Sequence, residues 1–361
     1  MTDPSPVLLV TADAALTEDV RRLASAVGVA VDVHPDGEAV GPAWSTARAI
    51  LLGADAAAVG APSRRPGVVL VARDGSDAVW RLAVEAGAEA VARLPDDQAW
   101  LVERLACAVD GPATSGRVVG VVGGRGGAGA STLAAGLAAA ASWAGLSTLL
   151  VDGDPGGGGL DLLLGLEAEP GLRWVDLRDV RGVLRAAVLH DGLPVADGVR
   201  LLSHGRGDLG PVPVAALEAV LDAGRRGHDV VVADLQRTDD PATTGALRRL
   251  DACVLVVPAE VRASAAAAVL APHLRRHVAD VRLVVRGPAP TGLAAEVVAD
   301  TVGLPLAAVW PDDPRLAVDG DHGRAPGRRP GSSLARLARR LLAELAEADA
   351  AAPRAWRQAV A

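Results

Sequence analysis

The sequence contains no phenylalanine, no tyrosine and no lysine. A core must therefore be built from leucine, valine and alanine, which suits helices packed on a buried parallel sheet. The seven tryptophans are scattered along the chain, too far apart for a platform on which bases could stack. A formal net charge of −8 gives no overall basic surface, so we expect no sequence-specific nucleic-acid partner.

Cysteine is nearly absent, and long apolar runs are missing. Cys107 and Cys253 lie far apart, without metal-ligand spacing and each within an apolar run, which indicates buried thiols in a reducing cytoplasm. The first residues, MTDPSPVLLV, lack the basic segment of a signal peptide, and no uninterrupted stretch of about 18 apolar residues suggests a membrane span. We therefore expect a cytoplasmic protein, and its 361 residues predict about two domains.

Short apolar segments alternate with amphipathic ones over residues 1–110, which predicts a small doubly wound α/β domain. A first helix capped by Thr17 should run to Val27. The polar run at 111–116 contains proline and glycine and predicts a linker. The predicted strands are Val7–Val10, Val29–Val33, Ala49–Gly53, Val68–Ala72 and Glu89–Arg93.

The same alternation continues through a larger predicted domain, residues 117–349. Residues 350–361 are predicted to be a mobile tail. The predicted strands of this domain are Val118–Val122, Thr148–Val151, Val199–Leu202, Val230–Ala233, Cys253–Val257, Arg282–Val285 and Leu306–Val309.

The first domain resembles the receiver, or CheY-like, domain of response regulators, which has a flavodoxin-like fold. Receivers hold Mg²⁺ with several acids, phosphorylate an aspartate after the third strand, and carry a lysine before a proline at the fifth. Here Asp13 is the only acid just after the first strand, and Leu94 precedes Pro95. We therefore expect a degenerate docking domain. A response regulator phosphorylated at Asp55 is the less favoured alternative.

A glycine-rich turn joins the strand at Val118 to an alanine-rich helix. Gly124, Gly129 and Ser131 match the phosphate-loop pattern G-x-x-x-x-G-K-[ST], in which backbone N–H groups cradle phosphates and the hydroxyl binds Mg²⁺. Ala130 stands where the lysine is expected. The predicted nucleotide-binding residues are Gly124, Arg125, Gly126, Gly127, Ala128, Gly129, Ala130, Ser131 and Thr132.

Acidic residues follow two of the predicted strands. Asp152 and Asp154 end the strand that begins at Thr148, and Asp234 ends the strand that begins at Val230. In phosphate-binding ATPases, an acid at such a strand end holds Mg²⁺ through water. We therefore assign Ser131 and Asp234 to Mg²⁺.

These motifs resemble, in order, those of the deviant Walker ATPases of the MinD/ParA family. The family's K-G-G-x-G-K-[ST] loop matches residues 125–131 with Arg125 at its front, and its D-x-D switch matches Asp152 and Asp154. The stretch from Leu304 to Asp313 is similar to the family's L-P-V…I-P-x-D segment. With a receiver-like domain in front, the chain resembles the CpaE/TadZ pilus-assembly proteins, and among these the CpaE-like group of septum site-determining (Ssd) proteins.

The resemblance implies a homodimer that binds ATP and Mg²⁺ and places septum, pilus or secretion assembly proteins. It makes Asp152 and Asp154 the catalytic candidates, with Asp154 positioning the attacking water. It also implies that Arg125 reaches the partner's nucleotide. The base-contacting asparagine of the family has no counterpart, because the run at 284–287 reads Val-Val-Arg-Gly.

Three interpretations of Ala130 stay open: nucleotide binding with weak hydrolysis, an active ATPase that uses Arg125 across a dimer, and a nucleotide-independent scaffold. The terminal segment 333–347 has leucines at helical spacing with arginines between them. Such a helix either contacts the membrane peripherally, as in MinD-type proteins, or packs on the sheet. We favour packing.

Overall fold

The computed structural model describes residues 7–37, 40–61, 63–73, 78–110, 116–180, 182–205, 210–288 and 292–348, together with Trp356 and Ala359. The chain divides into two compact units. One comprises Met1–Ala113 and Gly182–Arg185, and the other comprises Thr114–Arg181 and Ala186–Ala361. Apart from Gly116, the predicted linker 111–116 lies outside the described residues.

The first unit has a five-stranded parallel sheet in the order β2-β1-β3-β4-β5. Its helices cover both faces of the sheet, and two apolar clusters form the core. The strands are β1 Val7–Val10, β2 Val31–His34, β3 Ala49–Gly53, β4 Val68–Ala72 and β5 Ala90–Arg93. The helices are α1 Ala14–Ala26, α2 Gly41–Thr46, α3 Ala54–Val59, α4 Ala78–Ala86 and α5 Gln98–Asp110. The predicted doubly wound, receiver-like fold is confirmed.

The start of α1 differs from the prediction. Asp13, not Thr17, caps the helix, because its carboxylate accepts hydrogen bonds from the backbone N–H groups of Ala15 (2.8 Å) and Leu16 (3.1 Å). The hydroxyl of Thr17 instead donates to the carbonyl oxygen of Asp13 from within the first turn. Asp13 therefore has a structural role as the cap of α1.

The second unit contains an eight-stranded sheet in the order β13-β12-β11-β6-β10-β7-β9-β8. All pairs are parallel except β8 with β9. The strands are β6 Arg117–Gly123, β7 Thr148–Gly153, β8 Val195–Ala196, β9 Val199–Leu202, β10 Val230–Leu235, β11 Ala252–Pro258, β12 Asp280–Arg286 and β13 Leu306–Trp310. The predicted parallel-sheet domain is confirmed. The two-residue strand β8 was not predicted, because two residues are too few to show a strand pattern.

The helices of the second unit cover the sheet. They are α6 Ala130–Trp143, α7 Leu160–Leu164, α8 Trp174–Leu177, α9 Ala186–Gly192, α10 Val214–Gly227, α11 Pro241–Leu247, α12 Val261–His277, α13 Ala295–Val302, α14 Pro314–Asp321 and α15 Ser333–Ala348. Helix α6 is buried along most of its length and consists largely of alanine. Small side chains let a helix approach its neighbours closely, and α6 packs both on the sheet and against α15.

Helix α15 uses its apolar face for packing inside the unit. Its leucines are buried, and Leu334 packs so closely on Gly136 of α6 that a Cβ there would lie 2.9 Å from Leu334 Cγ. The structure therefore favours the packed helix over a membrane-binding one. Among the described residues, no helix combines the length and the apolar composition needed to cross a membrane.

Trp356 departs from the predicted mobile tail, most of which lies outside the described residues. Its side chain is 1% exposed and belongs to the same apolar cluster as Leu334 and Leu345. Burial of a large indole is favoured in free energy over its exposure to water, so Trp356 is held against the core.

Candidate functional site

The phosphate-loop strand β6 lies between β10 and β11. In the parallel register, Asp234 of β10 pairs with Val121 of β6 on one side and with Asp152 of β7 on the other. Because neighbouring parallel strands end at the same edge, the two acids lie beside the loop that leaves β6. The topology therefore brings Asp152 and Asp234, which are 82 positions apart in the sequence, to the same loop.

The loop between β6 and α6 has a backbone that only glycine adopts easily. Gly127 has φ +70° and Gly129 has φ +99°, both in the left-handed region. A Cβ on Gly129 would also lie 3.0 Å from the ring of Trp310 and 3.2 Å from Nη1 of Arg286. A Cβ on Gly124 would lie 2.9 Å from Val257 Cγ2. The glycines thus allow the loop to curl at the start of a helix, where N–H groups can bind an anion.

A cavity of about 1270 Å³ opens over this loop. It brings together every predicted nucleotide-binding residue except Gly124, which is buried. The three acids Asp152, Asp154 and Asp234 line the same cavity. The predicted site residues therefore meet in one place.

Asp152 is buried and bound to the backbone. Its carboxylate accepts hydrogen bonds from the N–H groups of Leu160 (3.0 Å) and Asp154 (3.2 Å), and its carbonyl oxygen accepts one from the indole N–H of Trp174 (2.7 Å). Burial nevertheless raises the pKa of Asp152 to about 6. With its oxygens occupied in this way, Asp152 is suited to positioning the switch segment.

Asp154 is less enclosed. One carboxylate oxygen accepts a hydrogen bond from the N–H of Gly156 (3.0 Å), which shapes the turn after β7. The side chain is partly exposed and lines the cavity. Of the two switch acids, Asp154 is therefore the one that can meet a bound molecule.

Asp234 is 3% exposed, and burial raises its pKa to about 7, opposed by a hydrogen bond from the Ser131 side chain. No arginine of the described residues forms an ion pair with Asp234 or Asp152. Two buried neighbouring carboxylates without a cation, next to a hydroxyl oxygen, are a donor set that suits Mg²⁺. No group of three histidine, cysteine or acidic side chains in the described part could hold a metal. A Mg²⁺ ion here would need phosphate oxygens as further ligands, which is common for this ion.

Arg125, at the front of the loop, is held within its own chain. Its Nη2 lies 2.8 Å from Oε1 of Glu260, and its Nη1 donates to the carbonyl oxygen of Gly126 at 2.7 Å. Glu260 directly precedes α12. Before Arg125 could reach a partner's nucleotide, this ion pair would have to open.

Other residues enter the cavity without having been predicted as site residues. Arg286, at the end of β12, forms an ion pair with Asp312 at 2.6 Å and lies over the ring of Trp310. Arg237 follows β10, and its Nη1 donates to the carbonyl oxygen of Gly124 at 3.4 Å. Arg237 lies three residues after Asp234, so the sequence could have indicated that Arg237 is close to the site. The pairing of Arg286 with Asp312 depends on β12 and β13 being neighbours.

The first unit has a smaller cavity, of about 560 Å³, where receivers carry their phosphorylation site. Asp55 lies there, but its carboxylate accepts hydrogen bonds from the hydroxyl of Thr11 and the N–H of Ala12, both at 2.7 Å. Asp13 is engaged as a helix cap, and Leu94 is buried. Asp55 is thus bound into the fold as a clamp on the turn after β1.

Replacing Asp55 by alanine should therefore destabilise the first unit. It should not change any labelling of the protein by acetyl phosphate. Losing two hydrogen bonds to a carboxylate should lower the free energy of unfolding by about 1–3 kcal/mol. Chemical denaturation would measure the change, with exposed Asp96→Ala as the matched control. Acetyl-phosphate labelling of the wild type that disappears in Asp55→Ala would contradict this structural role.

Comparisons with known proteins agree with this two-part architecture. A model of the Rv3660c-like, CheY-like N-terminal domain matches residues 10–116. The ParA family ATPase from Chlorobium tepidum TLS is similar at a TM-score of 0.56 and 17% identity, over 63% of this chain and 97% of that one. The MinD complexed with Mg-ADP from Pyrococcus horikoshii OT3 is similar at a TM-score of 0.55 and 21% identity, over 66% and 98%. The protein therefore joins a receiver-like unit to a unit with the MinD/ParA P-loop fold.

Two relatives align with nearly the whole chain. The uncharacterized proteins Rv3660c and MT3760, from the H37Rv and CDC 1551 strains of Mycobacterium tuberculosis, are each 44% identical over 349 residues. These alignments cover 93% of this chain and 97% of each relative. The chain belongs to the Rv3660c-like family.

Proposed function

We propose that this protein is a nucleotide-binding spatial regulator of the MinD/ParA type, with its receiver-like unit serving for docking. The observation that carries the proposal is the glycine-rich loop, which is already curled at the start of α6 beneath a cavity large enough for a nucleotide. The names of similar structures support it, since one is a septum site-determining MinD complexed with Mg-ADP and another a MinC:MinD cell division complex.

In this proposal, backbone N–H groups of residues 125–132 bind the phosphates of ATP. Ser131 would hold Mg²⁺ with its hydroxyl and Asp234 would hold it through water, and the ion would offset the charge of the buried acids. Asp154 positions water at the terminal phosphate. Bound Mg²⁺ would withdraw electron density from the phosphate oxygens.

Hydrolysis is expected to be weak, because the loop carries no cation of its own at position 130. Losing one charge-assisted hydrogen bond costs about 1.5–3 kcal/mol, and the loss is felt most where charge develops in the transition state. The protein would then act mainly through its bound state. We propose that this state is a homodimer that places septum, pilus or secretion assembly proteins, with Arg125 facing the partner's nucleotide.

Titration of full-length protein with a fluorescent ATP analogue, with and without Mg²⁺, tests the proposal. We expect saturable binding, with a higher affinity when Mg²⁺ is present. Ser131→Ala should reduce this Mg²⁺-dependent gain in affinity about 10-fold, because the metal loses a ligand. Ser45→Ala, at an exposed serine of the other unit, is the matched control. Absence of binding at millimolar nucleotide would leave only the nucleotide-independent scaffold.

A further inference from the structure

Ala130 shows where a lysine of the usual phosphate loop would extend. Its methyl carbon lies 3.6 Å from the place a Cβ on Gly123 would occupy. The side chain at 130 therefore points from the first turn of α6 back toward the beginning of the loop, as helical side chains do. A long side chain at this position would run toward Gly123, the residue before Gly124.

The guanidinium of Arg237 already lies at the beginning of the loop. Its Nη1 donates to the carbonyl oxygen of Gly124, and the side chain lines the same cavity as the loop and Asp154. Arg237 is exposed. Its positive charge thus stands in the region toward which the missing lysine would have extended, although it comes from a different segment of the chain.

Three arginines of the described residues line the cavity, and their charges are not equally available. Arg125 is paired with Glu260, and Arg286 is paired with Asp312. For Arg237, the described residues provide no acidic partner. Of the three, Arg237 is therefore the one whose charge can bind an anionic ligand without first breaking an ion pair.

We propose that Arg237 replaces the missing phosphate-loop lysine and binds the terminal phosphate of a nucleoside triphosphate. The inference rests on the proposed function, since it requires that the loop holds a nucleotide. It adds that the cation comes from the segment after Asp234. That segment senses whether the terminal phosphate is present, because a diphosphate offers Arg237 no such group. A guanidinium can contact two phosphate oxygens at once through its planar set of N–H donors.

The test compares fluorescent ATP and ADP analogues, each with Mg²⁺, on the full-length wild type and on Arg237→Ala, Arg237→Lys, Ala130→Lys and the double variant Ala130→Lys/Arg237→Ala. Arg237→Ala should weaken ATP binding by about 10- to 150-fold, the loss expected for a charge-assisted hydrogen bond, and should weaken ADP binding much less. Arg237→Lys should retain part of the affinity. The double variant should recover most of the loss, because its lysine restores the charge from the loop itself. Arg275→Ala, at an exposed arginine near the end of α12, should bind like the wild type.

Each alternative outcome is decisive. Wild-type binding of ATP that Arg237→Ala leaves unchanged would overturn this inference and leave the proposed function intact. Equal losses for ATP and ADP would also overturn it, since Arg237 would then not distinguish the terminal phosphate. Failure of Ala130→Lys to restore ATP binding in the double variant would show that Arg237 acts on loop conformation instead. No nucleotide binding by the wild type would overturn both proposals together.

Discussion

Replacing Gly129 by alanine is expected to weaken ATP binding by about 10- to 100-fold. The backbone at Gly129 has φ +99°, and an added Cβ would lie 3.0 Å from the Trp310 ring. A residue held in such a conformation costs about 1–3 kcal/mol. To relieve this strain, the loop of the alanine variant would have to leave the conformation seen in the structure, so the cost appears when the loop must return to it around the phosphates. The nucleotide titration described above measures the change.

Gly126→Ala is the matched control, since an added Cβ there meets nothing within 4 Å and its φ is not positive. It places the same methyl group in the same loop and should bind ATP nearly as the wild type does. If both variants lose affinity equally, added bulk matters more than backbone conformation. If neither does, the loop does not enclose phosphate.

Replacing Asp234 by asparagine should stabilise the nucleotide-free protein while weakening its response to Mg²⁺. Burial raises the pKa of this carboxyl from 3.8 to about 7, so the ionised form is costly in the folded state. One pKa unit corresponds to about 1.4 kcal/mol, and a neutral amide should regain about 2 kcal/mol after its own unmet hydrogen bonds are allowed for. The melting temperature of the second unit should rise by about 4–8 °C at pH 8.

The sign of the pH dependence follows from the raised pKa. The stability contributed by protonated Asp234 is fully present below pH 3.8 and is lost as pH rises to about 7. The advantage of Asp234→Asn should therefore grow between pH 4 and pH 7 and then level off. Asp300→Asn, at an exposed acid of α13, should show no such trend. A variant that melts below the wild type at pH 8 would contradict the assigned cost.

The strands of both units were predictable because their short apolar runs are separated by glycine or polar turns. Val118–Val122 and Val230–Ala233 lie within β6 and β10, with ends that differ by no more than two residues. Caps are harder to predict, since Asp13 and Thr17 both carry suitable oxygens and only the path of the chain decides between them. The phosphate loop was recognisable because its glycines and Ser131 are contiguous in sequence.

Only tertiary packing decided whether the apolar C-terminal segment contacts a membrane or the protein core. Leucines at helical spacing in α15 suit either a membrane surface or a protein core. Burial against α6 decides for the core, because alanines and Gly136 let Leu334 approach closely. Trp356 follows the same logic, since its sequence neighbours are polar or small and give no sign that its indole is covered.

By itself, the amino-acid sequence determined the alternation of strands and helices, the division into a receiver-like and a P-loop-type part, and the loop in which Ala130 replaces a lysine. These features depend on residues close together in the chain, where periodicity and spacing are informative. Only the tertiary structure decided that Asp55 clamps a turn, that Glu260 holds Arg125, and that Arg237 lies beside Gly124. Each of those contacts joins segments more than 40 positions apart. No local sequence pattern predicts the strand order that brings these segments together.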